Sequence, residues 1–348
     1  MDKSEIMLTE DTRRVAIIGC GNIAGEVDED IKKRHIYGHA KAISFIKNIK
    51  ITACCDSDTE RVQEFATKWK IPAQYRDVRE LLDKEHVDIM VVATPTKNHL
   101  EHVQLALDSN VKVIFCEKPL SFDLESGHTL VKKARELNKL LVLNYMRRWD
   151  PFYAECKSIV KSGELGRIET IVAYVDTALY MNSIHMMDML VYFGGDVSSC
   201  VGHIDRTNET RIVHGEKDFG GIALFKHKNG VISFLKATGA TRRNHFFELD
   251  IQCTKGRLRI LDDDTKYEVY RFKESPQHKG LVELSLVESK SNSCKQERLV
   301  EAYLDILNFI ETKKEPAFSA QESLRSLELI QLMYQSDAAD GQPAYSQL

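Results

Sequence analysis

The sequence predicts an α/β chain in two parts, a doubly wound parallel sheet over residues 1–145 and an α+β region with a large, mostly antiparallel sheet over residues 146–348. The first part alternates short apolar runs with amphipathic stretches, which is typical of parallel strands covered by helices on both faces. The second part contains consecutive strand patterns without helices between them, which favours antiparallel pairing. The 348 residues are enough for two domains. We also expect a C-terminal helix to pack back on the first domain.

Five buried strands are predicted in the first part, because each run is short, apolar and rich in β-branched residues. They cover residues 15–18, 51–55, 87–93, 111–115 and 140–143. Helical periodicity separates them over residues 58–69, 99–107 and 124–137. This alternation predicts a sheet of parallel strands.

The second part begins with a strand over residues 168–174 and a short helix over residues 184–193. Five further strands are predicted at residues 221–226, 231–237, 246–253, 257–261 and 267–272. The Asn229-Gly230 pair between the first two of these strands is a strong hairpin signal. Helices are predicted to return at residues 296–312 and 320–335.

Composition excludes several classes of protein. Lys plus Arg number 48 and Asp plus Glu number 52, so the formal net charge is −4 and offers no basic footprint for nucleic acid. No apolar run is long enough to span a membrane, and the polar stretch Met1–Arg14 has no apolar signal core, so we expect a frayed tail and a cytoplasmic protein. The eight cysteines are scattered without a Cys-x-x-Cys pair, which favours reduced, mostly buried thiols over disulfides or a zinc site.

A glycine-rich turn follows the first predicted strand and fits the G-x-G-x-x-G/A fingerprint of dinucleotide binding. Gly19 permits the tight turn, Gly21 leaves room for a pyrophosphate, and Ala24 lets a helix pack on the sheet. Asn22 and Ile23 complete the turn. We expect the N-terminus of the following helix to offer amide donors and a positive dipole to the phosphates.

Asp56 ends the second predicted strand and favours NAD over NADP. A carboxylate there accepts the ribose hydroxyls of NAD and repels the 2′-phosphate of NADP. Ser57 and Asp58 follow it, with no adjacent arginine. Asp56 lies further from the glycines than usual, which the polar stretch Glu26–Tyr37 accounts for as an insertion, either a lid or a solvated loop.

Two further strand ends carry polar residues. The third strand leads into Thr94, Pro95 and His99, and the fourth leads into Glu117 and Lys118, with a proline after the lysine. Ligands of open α/β sheets bind at the carboxyl ends of strands, so we expect both segments to border the cofactor.

From about Arg13 to about Pro343 the sequence resembles the glucose–fructose oxidoreductase, inositol dehydrogenase and MocA family. The resemblance depends on the joint order of several segments. These are the nucleotide loop Gly19–Ala24, the signature Glu117-Lys118-Pro119, residues 144–151, residues 163–168, the His-x-x-Asp helix at His185–Asp188, residues 254–258 and residues 341–343.

The resemblance implies a pyridine-nucleotide oxidoreductase acting on sugars, sugar derivatives or cyclic polyols, with Lys118 near the reacting oxygen and His185 as acid/base. The chemistry agrees, because a cation stabilises a developing alkoxide and an imidazole accepts its proton near neutral pH. We expect Asn182 or Ser183 to cap the helix that carries His185, so that the helix dipole keeps the ring neutral. Asp188, one turn later, is expected to orient the region.

The sequence departs from the family pattern just before the histidine. An acidic residue four positions before it and a glycine two positions before it are replaced by Met181 and Ser183. Tyr180 is either a partial substitute for the acid or a packing residue, and the shortened segment resembles members that handle amino sugars or nucleotide-linked sugars. The candidate substrate contacts are Arg147, Arg148, Tyr180, Asn182 and Asp188. For the two arginines, surface salt bridging is the alternative.

Three functions are consistent with these observations. The leading one is an NAD-dependent dehydrogenase of a sugar-type small molecule, and no metal is required. The alternatives are a redox-neutral glycosidase that oxidises its substrate transiently with NAD, and a non-catalytic dinucleotide-binding sensor. The family resemblance and the predicted sheet face imply a homodimer or homotetramer.

Overall fold

The first sheet has six parallel strands, and it contains all five strands predicted for this part of the sequence. The computed structural model describes residues 12–29, 35–207, 211–213, 216–237, 246–293 and 296–348. The six strands are β1 (Arg13–Ile18), β2 (Ile49–Cys55), β3 (Ala73–Tyr75), β4 (Ile89–Val92), β5 (Val113–Cys116) and β6 (Leu140–Leu143). Their order is β3-β2-β1-β4-β5-β6, so the winding reverses between β1 and β4. Ligands bind at the carboxyl ends of strands at such a switch point.

Helices connect these strands, and three of them begin at an aspartate that caps the helix. Asp58, Asp77 and Asp123 each accept hydrogen bonds from backbone N–H groups of the first turn. The helices are α1 (His39–Ser44), α2 (Thr59–Trp69), α3 (Val78–Lys84), α4 (His99–Asp108) and α5 (Leu124–Glu136). The doubly wound parallel sheet is therefore confirmed.

The prediction of a helix directly after the glycine motif is wrong. The motif leads into a single 3₁₀ turn, Asn22–Ala24, and α1 begins only at His39. The polar insertion lies between them, and the Asp28 carboxylate accepts from the N–H groups of Tyr37 (2.9 Å) and Gly38 (2.7 Å) just before α1. Residues 30–34 of the insertion lie outside the described residues. The glycine motif therefore offers a phosphate the amides of a short turn and not the dipole of a long helix.

The second sheet is larger and mixed, with nine strands in the order β16-β15-β14-β13-β7-β12-β11-β8-β17. Only β12 and β7 pair in parallel, and the other neighbours are antiparallel. The strands are β7 (Ile168–Val175), β8 (Val197–Asp205), β9 (Arg211–Val213), β10 (Glu216–Asp218), β11 (Gly220–His227), β12 (Ile232–Ala237), β13 (Phe247–Cys253), β14 (Gly256–Leu261), β15 (Lys266–Glu274), β16 (Val282–Ser291) and β17 (Ala344–Tyr345). Strands β9 and β10 form a separate pair. The mostly antiparallel sheet and the hairpin at Asn229-Gly230 are confirmed.

Within the described residues, four helices follow residue 150: α6 (Pro151–Lys161), α7 (Ile184–Gly194), α8 (Arg298–Thr312) and α9 (Ala320–Ala338). Strand residues alternate between buried and exposed, so one face of the sheet is covered and the other is open. Helix α9 approaches the covered face closely at two glycines. A Cβ on Gly202 would lie 2.9 Å from the Met333 Cα, and one on Gly221 would lie 3.1 Å from the Met333 Cε.

The chain forms two compact units, and the first is discontinuous. It comprises the residues up to Trp149 together with Gln296–Gln321, so it includes α8. The second comprises Asp150–Lys295 and Glu322–Leu348. Seven cysteines are buried and carry no disulfide, while Cys294 lies outside the described residues. The predicted tail lies outside them up to Asp11, but Arg13 and Arg14 belong to β1.

Candidate functional site

The glycine turn after β1 is closely packed on one side and open on the other. Gly19 has φ +89°, and a Cβ there would lie 2.7 Å from the Ala93 carbonyl oxygen. Gly21 is different, because a Cβ there would meet nothing within 4 Å. Asn22 and Ile23 follow in the 3₁₀ turn. The turn therefore has a tight glycine and an open glycine in the order that a bound pyrophosphate needs.

Asp56, directly after β2, is 8% exposed and faces this turn. Its Oδ2 accepts from the Cys20 N–H at 2.8 Å, and its Oδ1 accepts from the Asp58 N–H at 3.0 Å. These bonds fix the carboxylate beside the glycine turn, where a ribose would lie.

Arg61 is a site residue that the sequence reasoning missed. Its Nη1 lies 3.3 Å from the Asp56 Oδ1, although five residues separate the two in sequence. Helix α2 begins at Thr59, so its first turn brings Arg61 back towards the strand end. The aspartate cap at Asp58, followed by an arginine three residues later, is the signal that would have found it.

The segments after β4 and β5 meet through His99, whose side chain is buried. Its Nδ1 lies 2.7 Å from the Pro119 carbonyl oxygen, and its Nε2 lies 2.7 Å from the Thr94 carbonyl oxygen. Thr94 Oγ1 also lies 3.0 Å from His102 Nδ1, and Pro95 precedes a 3₁₀ turn, Thr96–Asn98. His99 therefore holds the two loops together at the carboxyl edge, and the contacts of its ring nitrogens are to protein carbonyls.

Glu117 and Lys118 follow β5, and the Glu117 carboxylate is 7% exposed. Glu117 Oε1 accepts from Asn144 Nδ2 at 2.7 Å and lies 3.0 Å from His39 Nε2. Burial acts to raise the pKa of Glu117, but the hydrogen bond from His39, the charge of Lys118 and the hydrogen bond from the Asn144 amide hold that pKa below its ordinary value. Lys118 is partly exposed at this edge. Glu117 is thus held by hydrogen bonds to protein groups, and the neighbouring lysine is partly exposed.

His185 lies in the second unit, on α7, and is 4% exposed. The expected cap by Asn182 or Ser183 is wrong, because Ser183 has helical dihedral angles and makes no side-chain cap bond. A π-helical turn, Leu179–Ser183, runs directly into α7, so the helical segment begins well before the histidine. Asp188, one turn later, is buried and accepts from Ser326 Oγ at 3.4 Å.

Asp218 at the end of β10 holds the start of that π-helical turn, and sequence reasoning did not find it. Its two carboxylate oxygens accept from the backbone N–H groups of Tyr180 (3.0 Å) and Met181 (2.9 Å). The Leu179 N–H donates to the Phe219 carbonyl at 2.9 Å. The family pattern has an acidic residue at the position of Met181. In this protein the backbone N–H of Met181 instead donates to a carboxylate from another strand. Tyr180 stacks on Tyr334, with ring centroids 6.2 Å apart.

The two candidate arginines lie in a 3₁₀ turn, Met146–Trp149, of the first unit. Arg147 is 7% exposed, and the Arg148 guanidinium lies 4.6 Å from the centroid of the Phe318 ring. This cation–π contact accounts for the position of Arg148 without a substrate. Trp149 is in the core and donates from Nε1 to Asp305 Oδ2 at 2.8 Å.

The described residues contain no cluster of three or more His, Cys, Asp or Glu side chains placed to hold a metal ion. No helix within those same ranges has both the length and the apolar character that crossing a membrane requires.

The parallel sheet, the glycine turn and the buried carboxylate define a dinucleotide-binding domain of the Rossmann type. Two models of one family match the chain. The model described as oxidoreductase family, NAD-binding Rossmann fold, matches residues 13–145, and the model described as oxidoreductase family, C-terminal alpha/beta domain, matches residues 176–344. The chain therefore belongs to the GFO/IDH/MocA oxidoreductase family, and the resemblance seen in the sequence is confirmed.

Two curated relatives illustrate the family. The chain is 27% identical over 192 residues to an inositol 2-dehydrogenase of Salmonella typhimurium, which covers 51% of this chain and 54% of that protein. It is 26% identical over 269 residues to the D-apiose dehydrogenase of Paraburkholderia graminis, which covers 71% of this chain and 67% of that protein. The chain thus spans about half the length of the inositol dehydrogenase that it matches.

Solved structures share the fold across nearly the whole chain. One is the WlbA dehydrogenase of Bordetella pertussis in complex with NADH and UDP-GlcNAcA, with a TM-score of 0.77 and 19% identity. The match covers 97% of this chain and 99% of that one. At this identity the similarity shows the fold alone.

Proposed function

We propose that this protein is an NAD-dependent dehydrogenase that transfers a hydride between the nicotinamide and a secondary alcohol of a sugar, a sugar derivative (nucleotide-linked sugars included) or a cyclic polyol. The observation that carries the proposal is the pairing of open space at Gly21 with the fixed carboxylate of Asp56. Family membership and the named activities of the relatives support the oxidoreductase class and the substrate class.

The residues present fit NAD. Gly21 leaves its space open, and Asp56 has oxygens placed for ribose hydroxyls. The Thr94–Pro95 segment and the Glu117–Lys118 turn would border the nicotinamide end. When bound, the nicotinamide supplies the acceptor or donor of hydride.

Lys118 and His185 are the proposed catalytic residues. Oxidation of an alcohol releases the hydroxyl proton as hydride leaves the carbon, and an ammonium group beside the oxygen stabilises the developing alkoxide. We assign that part to Lys118. A neutral imidazole at His185 accepts the proton in oxidation and returns it in reduction. Asp218 is proposed to hold the backbone that leads to His185.

The test measures NADH absorbance with NAD and a panel of sugars, cyclic polyols and nucleotide sugars. For the substrate that responds, Lys118→Met is expected to lower kcat about 10²–10³-fold, and His185→Asn to lower it about 10²–10⁴-fold. Lys47→Met and His278→Gln are matched controls, because both side chains are exposed and Lys47 precedes β2 at the opposite edge of the sheet.

The outcomes separate the candidate functions. Activity that collapses in both variants and survives in both controls supports the dehydrogenase. Cleavage of a glycosidic bond that needs NAD but accumulates no NADH would replace it with the redox-neutral glycosidase. Intact NAD binding without turnover of any panel member would favour the dinucleotide sensor.

We further propose that the protein is a homo-oligomer, a dimer or a tetramer, that pairs through the open face of its large sheet. Val172, Phe234, Leu224 and Val201 lie in register on that face across β7, β12, β11 and β8. Phe234 is 51% exposed and Val201 40%. They border a groove of about 870 Å³, and an apolar row of this kind is typical of an interaction site.

A second copy is the proposed occupant because the face has the organisation of an interface between sheets. Beyond Val172 the apolar row ends at a charged residue, Asp250 on β13, which forms an ion pair with Arg259 on β14. An apolar centre with a charged margin is the usual anatomy of a protein interface. Light scattering should give at least a dimer for the wild type and a monomer for Phe234→Glu, and a monomeric wild type would refute the proposal.

We also propose that the protein is cytoplasmic. The seven described cysteines are all buried free thiols, which suits a reducing compartment.

A further inference from the structure

A buried chain of polar groups lies behind the Glu117–Lys118 turn, within the first unit. His39 on α1 is 0% exposed, and so is Tyr303 on α8. His39 Nδ1 lies 2.7 Å from the Tyr303 hydroxyl, and His39 Nε2 lies 3.0 Å from Glu117 Oε1. Three separate elements therefore converge on one imidazole ring.

The direction of each hydrogen bond follows from the chemistry of the groups. An ionised carboxylate only accepts, so His39 Nε2 carries a proton and donates it to Glu117. In the neutral ring the Nδ1 lone pair then accepts from the Tyr303 hydroxyl. Asn144 donates to the same Glu117 oxygen at 2.7 Å. The neutral Nε2–H tautomer satisfies all of these contacts at once.

The hydrogen-bonded chain of Tyr303, His39 and Glu117 affects the position of Lys118, because Glu117 is the residue before it. The Lys118 backbone N–H lies 3.4 Å from Glu117 Oε2, so the carboxylate also touches the turn itself. A carboxylate buried in this way is costly unless hydrogen bonds and charge hold it. The groups that face Glu117 are His39 from α1, Asn144 after β6, Lys118 and Cys116 of its own strand end, and Tyr303 through His39.

We propose that Tyr303 and His39 are positioning residues that hold an ionised Glu117 in place and thereby fix the turn that carries Lys118. The inference rests on the proposed function of Lys118 and deepens it. Neither residue is assigned contact with substrate or cofactor, since both side chains are fully buried and act through Glu117.

The first test reads the imidazole directly and needs no substrate. In ¹⁵N-labelled protein, His39 is identified as the imidazole signal lost in His39→Gln. The signal should show the neutral Nε2–H tautomer in the wild type, with that preference lost in Glu117→Gln. An imidazolium or an Nδ1–H tautomer in the wild type overturns the proposed chain.

The second test reads the effect on Lys118, also without substrate. Mass spectrometry follows acylation of the Lys118 amine in the wild type, Tyr303→Phe, Glu117→Gln and the double variant. Both single variants should change the labelling rate several-fold, and Tyr303→Phe should add little once Glu117→Gln is present. Additive effects in this double-mutant cycle would show that Tyr303 does not act through Glu117.

A matched control and an activity arm complete the design. Tyr75 donates to Glu85 at 2.6 Å elsewhere in the same unit, so Tyr75→Phe removes a Tyr–Glu bond and should leave Lys118 labelling unchanged. With an active substrate, Tyr303→Phe should lower kcat about tenfold, as the loss of one hydrogen bond in the chain predicts, with NAD affinity retained. If no substrate is found, the proposed function fails. The tautomer and labelling tests still decide whether Tyr303 and His39 position Glu117.

Discussion

Replacing each of two neighbouring glycines by alanine should separate folding from cofactor binding. In Gly19→Ala, the residue keeps φ +89°, which costs a non-glycine residue about 1–2 kcal/mol. The new Cβ also meets two backbone atoms at 2.7 Å, the Ala93 oxygen and the Thr94 nitrogen. Overpacking of this kind costs about 1–3 kcal/mol, so we expect the melting temperature to fall by roughly 5–15 °C.

Gly21→Ala should behave in the opposite way. Gly21 has φ −85° and ψ −158°, which alanine adopts, and its Cβ position is open. The unfolded chain loses freedom, so stability should be unchanged or higher by about 0.4–1 kcal/mol. NAD affinity should fall at least about tenfold, because the methyl group enters the space proposed for the pyrophosphate, and tenfold corresponds to about 1.4 kcal/mol.

Thermal unfolding and calorimetric titration with NAD measure both quantities on the same samples. Wild-type NAD affinity in Gly21→Ala would show that the open space is not the phosphate site. A wild-type melting temperature in Gly19→Ala would show that the backbone contact at 2.7 Å carries no cost.

Three further predictions concern Asp56, Asp218 and His227. Asp56→Asn should lower the ratio of NAD to NADP affinity at least about tenfold in fluorescence titrations. Arg61, whose Nη1 lies 3.3 Å from the Asp56 carboxylate, is then the cation left for a 2′-phosphate, so adding Arg61→Gln should reverse most of that change. Asp218→Ala should lower the melting temperature more than Asp218→Asn, since it leaves two backbone N–H groups without their acceptor at about 1–3 kcal/mol each; equal melting temperatures would contradict this. Burial lowers the pKa of His227 below its ordinary value of about 6.5, and the hydrogen bond with the Gly195 carbonyl opposes this shift only in part. Near and below that pH the unfolded state therefore binds more protons than the folded state. The contribution of His227 to stability should be complete above about pH 6.5 and should decline as the pH falls from there. Thermal unfolding from pH 8 to 5 should show a smaller decline in His227→Gln.

The sequence predicts the elements of the core well, because burial leaves a clear pattern. Residues 140–143 are uniformly apolar and form β6 with the same bounds. Strand β16, Val282–Ser291, was not predicted, since its side chains are mostly exposed and its apolar–polar alternation, present over residues 282–286, breaks at Val287. Strand β3 was missed because three half-exposed residues are too few for a periodic signal.

The candidate site was predictable only where a local motif marks it. Gly19, Gly21 and Asp56 follow strand ends, and strand ends are visible in the sequence. Asp218 was not predictable, because its carboxylate reaches the π-helical turn from a strand 37 and 38 residues further along the chain. Contacts of this kind depend on the tertiary fold, which no short window of sequence contains.

The discontinuity of the first unit has a consequence for synthesis. Tyr303 reaches His39 across 264 positions of chain, so the dinucleotide-binding half is incomplete until the ribosome has made α8. Until then the nascent chain exposes the apolar surface that α8 covers, including the Phe115 ring, which packs against Tyr303 with centroids 5.2 Å apart. We therefore expect a fragment ending at Trp149 to aggregate or to bind chaperones, and a fragment joined to Gln296–Gln321 to fold.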